Sequence, residues 1–153
     1  MKRKIRNLVI IGFIIFLLIQ VYRPVRNTDD GQALPSHITK LYNVPDSVQG
    51  IFAMSCYDCH SNHTRYPWYS YIQPVRFIME WDIRNAKEEL NLSEFGNYSK
   101  RRQKTKLERI SKQVESGEMP LFSYTIMHKN TKLTLEQKYT ITRWIDTLLN
   151  NYK

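Results

Sequence analysis

CYDCHSNHT, from Cys56 to Thr64, holds the only two cysteines of the 153-residue chain, two residues apart and followed at once by a histidine. Cys56-x-x-Cys59-His60 is the spacing that attaches a c-type haem. On a helical turn the two thiols point the same way, so each can add to one vinyl group of a single porphyrin. His60 then falls beneath the iron as its proximal ligand, and the thioether bonds keep the macrocycle on the chain. The expected cofactor is one covalent haem c per chain, which supplies the chemistry while the polypeptide tunes it.

Two other uses of paired thiols fit less well. Structural zinc draws its four ligands from two separated pairs, whereas Cys56, Cys59, His60 and His63 crowd into one short segment. A thioredoxin-like dithiol needs a βαβ surround, which this sequence lacks. With no third cysteine, no disulfide competes for the thiols in an oxidising compartment.

Upstream, MKRKIRN is followed by LVIIGFIIFLLIQVY, apolar without a break from Leu8 to Ile19. With Ile5, Val21 and Tyr22 the run reaches about 17 or 18 residues, which predicts a single transmembrane helix that spans with some thinning of the bilayer. No A-x-A-like cleavage site follows, so residues 1–22 read as an uncleaved anchor. Basic residues before the run place the N-terminus in the cytoplasm and the remainder on the periplasmic side of the cytoplasmic membrane. Covalent haem attachment belongs to that side, so anchor and motif agree.

The rest reads as a tether, 23–45, and one all-α domain, 46–153. Pro24, Asp29-Asp30-Gly31, Pro35 and Pro45 break up the tether. Five glycines in the whole chain suit helices better than a barrel, and 12% aromatic residues suffice to wall a haem and fill a small core. Asp46 or Ser47 opens a helix that carries Val48, Ile51, Phe52 and Ser55 on one face and ends in the cysteine motif. Pro74 starts a second helix with Val75, Ile78, Met79, Ile83, Ala86 and Leu90 at helical spacing. Ser99 starts a basic helix with a Leu107, Ile110, Val114 stripe, which Gly117 stops. A helical turn follows near Tyr124 to Met127. Thr134-x-x-Gln137 then caps a last helix with Ile141, Trp144, Ile145 and Leu148 on one side.

CYDCHSNHTRYPWYSYIQP, LNLSEFGNYSKRRQ, GEMPLFSYT and the closing helix together resemble the small bacterial haem-binding domain family with a single CxxCH, common in membrane-anchored proteins. The resemblance covers roughly Asp46 to Leu149 and implies a cytochrome c-like, all-helical fold. Some members are joined to dihaem peroxidase modules, and no such module stands here.

A six-coordinate iron needs a second ligand. Met119, in the turn Gly117-Glu118-Met119-Pro120, can swing a thioether to the far side of the porphyrin and favours the reduced iron. His128, beside Met127, is the competitor, while His63 lies too close to His60 to reach the opposite face. Met54 and Met79 read as core, and His37 as surface or tether. Arg65 and Trp68 follow the motif closely enough to pair with a haem propionate. Lys100, Arg101, Arg102, Lys104 and Lys106 form a basic cluster suited to an acidic redox partner or to anionic lipid, and nucleic acid is not an expected partner. The function read from all this is that of a membrane-anchored monohaem carrier of single electrons. A peroxidase-related enzyme or a haem-based sensor with an open sixth position is the alternative.

Overall fold

The computed structural model describes residues 1–30, 33–150 and 152, and among these the protein is entirely helical. Gly31, expected in the tether's turn, lies outside the described residues. The elements in order are α1 (Lys2–Ile19), α2 (Ile38–Leu41), α3 (Asp46–Ser55), α4 (Tyr57–His60), α5 (Val75–Glu89), α6 (Lys100–Ser116), α7 (Phe122–Met127) and α8 (Leu135–Asn150). Short 3-10 turns at Trp68–Tyr71, Phe95–Asn97 and Lys129–Thr131 join them.

The core forms where α8 packs against α6 and α3. Val48, Ile51 and Phe52 of α3 meet Leu107 and Val114 of α6 and Ile141, Trp144 and Ile145 of α8. Phe52 sets its ring edge-on to Trp144, whose indole N–H donates to the Asn43 carbonyl. The helix ends follow their local chemistry. Thr134 and Gln137 exchange reciprocal bonds, Gln137 Oε1 accepting from the Thr134 N–H at 2.9 Å and Thr134 Oγ1 from the Gln137 N–H at 3.2 Å. Ser99 caps α6, and Gly117 ends it with φ +78°, a conformation strained for any residue with a Cβ.

The described residues of the stretch 23–45 bond to the domain at several points. Asn27 donates to the Ser61 carbonyl and Thr64 Oγ1, and its own backbone carbonyl accepts from the Thr64 N–H. Ile38 is completely buried, and its N–H donates to the Leu92 carbonyl. At Gly96 a side chain would stand 3.1 Å from the Ser36 backbone, so this crossing needs glycine.

The transmembrane reading of the N-terminus is corrected: among the described residues, no helix is long and apolar enough to cross a membrane. α1 forms, but Lys2, Arg3, Lys4 and Arg6 occupy its first turns and it ends at Ile19. The apolar part from Leu8 to Ile19 rises about 18 Å at 1.5 Å per residue, against a hydrocarbon core of about 30 Å. Val21 and Tyr22 do not extend it. Gln20 and Tyr22 turn toward the domain, where Gln20 Oε1 accepts from the Gln73 N–H at 2.9 Å and the Gln73 side-chain amide donates to the Tyr22 carbonyl at 2.7 Å.

Leu107 has no exposed surface, whereas Leu8 is largely exposed. Leu107→Ala should cost about 2–5 kcal/mol in urea unfolding, and Leu8→Ala less than about 0.5 kcal/mol.

Candidate cofactor site

Cys56 interrupts what the sequence suggests is one helix. Its backbone, φ −126° and ψ −44°, separates α3 from the single turn α4. The carbonyl of Cys56 accepts from the N–H groups of Cys59 (3.2 Å) and His60 (2.9 Å), so both thiols and the imidazole ride on one tight turn. Burial pushes both thiols up to about 12; each raises the cost of ionising beside a second negative group, Cys59 for Cys56, and Asp58 and Asp82 for Cys59.

His60 is oriented by α5. Its Nδ1 lies 3.0 Å from the Leu90 carbonyl and 3.1 Å from the Ala86 carbonyl, so Nδ1 carries the proton and donates it to the end of that helix. The other nitrogen, Nε2, is left with its lone pair, the arrangement of a metal-ligating histidine. Burial lowers the His60 pKa and the two carbonyl bonds oppose it.

Beside this turn lies a cavity of about 320 Å³, walled by Phe52, Cys56, His60, Ala86, Leu90, Leu92, Ile110, Val114, Met119 and Leu121. Asp82, Asn85, Glu89, Lys106, Arg109 and Gln113 complete its lining. A second chamber of about 160 Å³ lies on the Cys59 side, lined among others by Val75, Ile78, Met79, Ile83, Tyr124 and His128. Asp82 and Leu121 border both, so the two chambers adjoin along the cysteine turn, Cys56 lining the larger and Cys59 the smaller. The apolar stripe of α5 explains these hollows. Of its members only Ile83 is fully buried, while Val75, Ile78 and Met79 line the smaller chamber and Ala86 and Leu90 the larger. An amphipathic helix whose apolar face meets space rather than side chains is built around something the polypeptide does not itself supply.

Met119 shares the larger cavity with His60, whereas His128 and Met127 border the smaller one. His128 is already engaged there: the Tyr69 hydroxyl is 2.6 Å from its Nε2, and its ring stacks on Tyr124 with centroids 4.5 Å apart. His63 contacts Asp29 at 3.2 Å and lines neither chamber. His37 is buried rather than superficial, capping α2 through the Thr39 N–H. Met79, read as core, lines the smaller chamber.

Arg65 borders the smaller chamber, but its guanidinium is committed to Asp58, the buried carboxylate between the two cysteines. Arg65 Nε donates to Asp58 Oδ1 at 3.0 Å and Nη2 to Oδ2 at 3.2 Å, and the Tyr124 hydroxyl completes the set at 2.7 Å. The pair neutralises a charge that would otherwise sit uncompensated beside the thiols. Trp68 is 75% exposed and lines neither chamber. The cations on the larger cavity are instead Lys106 and Arg109 of α6. In sequence they are indistinguishable from the neighbouring basic residues, whereas Asp82 stands out as a carboxylate on the Ile78–Ala86 stripe.

A family model described as a haem-binding domain matches residues 14–147. No curated protein and no solved structure matches. In the folded, haem-free chain both thiols should remain protonated at pH 8, so alkylation by iodoacetamide should run at least about tenfold slower than in the urea-unfolded chain, as followed by mass spectrometry.

Proposed function

The chain belongs to the haem-binding domain family, and from that membership we propose that it is a monohaem c-type cytochrome, cytochrome c-like in fold, that passes single electrons. The observation that carries this is one cavity lined by Cys56, His60 and Met119 together with apolar side chains, with His60 Nδ1 held by the Ala86 and Leu90 carbonyls. Haem held there supplies a one-electron iron couple. The residues do the rest. Cys56 and Cys59 would provide the thioether links, and the Ala86 and Leu90 carbonyls fix the His60 tautomer so that Nε2 keeps the lone pair with which it would hold the iron. Met119 offers a soft sulfur that favours the reduced state. Phe52, Leu92, Ile110 and Val114 keep water from the ring. Lys106 and Arg109 are the cations in reach of propionates, in place of the expected Arg65 and Trp68.

In this reading the haem domain faces the periplasmic side of the cytoplasmic membrane, with α1 attaching it there as an apolar, all-round exposed helix. Lys100, Arg101 and Arg102 lie exposed at the start of α6 and suit an acidic redox partner.

The reduced visible spectrum tests the ligand pair. Wild-type protein made in a host with haem-ligation machinery should be low-spin, with the weak methionine-to-iron band in its oxidised form. Met119→Ala should lose that band, bind carbon monoxide and shift its midpoint potential downward. A wild-type spectrum that is already high-spin and reactive toward peroxide would transfer the protein to the enzyme reading.

A further inference from the structure

The first half of α5 turns aromatic rings outward on one side. Phe77 and Trp81, one helical turn apart, are each about half exposed, at 47% and 49%, while the neighbouring polar residues Arg76 and Glu80 are part-buried. Arg76 Nε and Glu80 Oε1 are buried without a hydrogen-bond partner, although Arg76 Nη2 reaches the Pro24 carbonyl and Glu80 Oε2 accepts from the Tyr66 hydroxyl. A helix facing water on that side would put its ion-forming residues outward and its aromatics inward. This one is arranged for an apolar exterior.

The surface continues on both sides. Trp68 and Tyr71, in the 3-10 turn packed on α5, are 75% and 64% exposed, and Phe122 at the start of α7 is 79% exposed. Exposed side chains of this size on three elements exceed the scattered apolar residues of an ordinary surface. Cations are laid over the aromatics: the Arg84 guanidinium sits 4.8 Å from the Trp81 ring centre and that of Arg26 4.0 Å from Tyr71. Trp and Tyr mixed with Arg is the composition of the lipid headgroup layer, where ring bodies enter the acyl boundary and cations meet phosphate.

The chain also leads this face to such a layer. α1 carries apolar side chains on every side from Leu8 to Ile19, all exposed. It is tied at its C-terminal end to Gln73, two residues before α5, through Gln20, and Tyr22 lies against Phe77 with ring centres 6.2 Å apart. The apolar helix and the aromatic face thus meet at one point, and whatever apolar phase receives α1 lies against α5.

We propose that Phe77, Trp81, Trp68, Tyr71 and Phe122 form a lipid-docking face, by which the domain itself lies on an anionic phospholipid surface with Arg26 and Arg84 at the phosphates. The docking is independent of whether haem is bound. It also gives a short apolar α1 a supporting contact, so that attachment does not depend on a full span.

The full-length protein, reconstituted in vesicles of phosphatidylcholine and phosphatidylglycerol containing a phospholipid with a photoactivatable group just below the headgroup, tests this by peptide mapping of lipid adducts. Adducts should appear in the segments around Trp68, Phe77 to Trp81, and Phe122, as well as on α1. In Phe77→Ser/Trp81→Ser the adducts around α5 should fall at least tenfold while those on α1 stay at the wild-type level, with unchanged helical circular dichroism. Adducts confined to α1 would overturn the proposal. So would protein–protein crosslinks across Trp81 in place of lipid adducts, which would show a second copy covering the face.

Discussion

The bond from His60 Nδ1 to the carbonyls of Ala86 and Leu90 holds the site together. It joins the one-turn α4 to the far end of α5, beside the bond from the Leu92 N–H to the His60 carbonyl. Because those carbonyls close a helix C-terminus, they are strong acceptors and fix which nitrogen of the ring carries the proton. Without this constraint the imidazole could turn away from the cavity that Met119 lines. The same bond explains why the turn breaks away from α3 at Cys56. A continuous helix would carry His60 onward along the α3 axis, whereas the break lets the ring meet α5.

α5 is accordingly asymmetric in a way that ordinary amphipathic helices are not. One face borders two cavities, the opposite side secures Asn27 and the segment after α1 through Lys87 and Arg76, and its outer face exposes aromatic rings. Only Ile83 is fully buried. Its stability therefore depends on what surrounds the polypeptide as well as on the polypeptide. The cofactor would fill the inner side, and an apolar phase the outer one.

The conventional helices were legible in the sequence because local chemistry and burial agree there. Thr134 with Gln137, Ser99, Gly117 and the Val48, Ile51, Phe52 face all behave as their patterns imply. Three features were not legible. The break at Cys56 arises from the tertiary bond to α5, which no local pattern encodes. The packing of 23–45 depends on Asn27, a residue that reads as turn-forming, meeting Ser61 and Thr64 across the fold. α1 is shorter than its apolar run implies, because Val21 and Tyr22 count as apolar in sequence while the Tyr22 carbonyl is held by Gln73. At the site, the cysteine motif and Met119 reach one region of the fold, but Arg65 is captured by Asp58 and Trp68 turns outward. Lys106 and Arg109 reach the cavity from α6, a helix whose cations look alike until its buried stripe orients them.

The claim on which the account turns is a covalent one, that Cys56 and Cys59 are bonded to a single porphyrin. Protein made in a host with haem-ligation machinery, denatured in acid and organic solvent and weighed intact, should retain the mass of one haem, and Cys56→Ala/Cys59→Ala should retain none. A wild-type polypeptide that sheds all porphyrin on denaturation would contradict it.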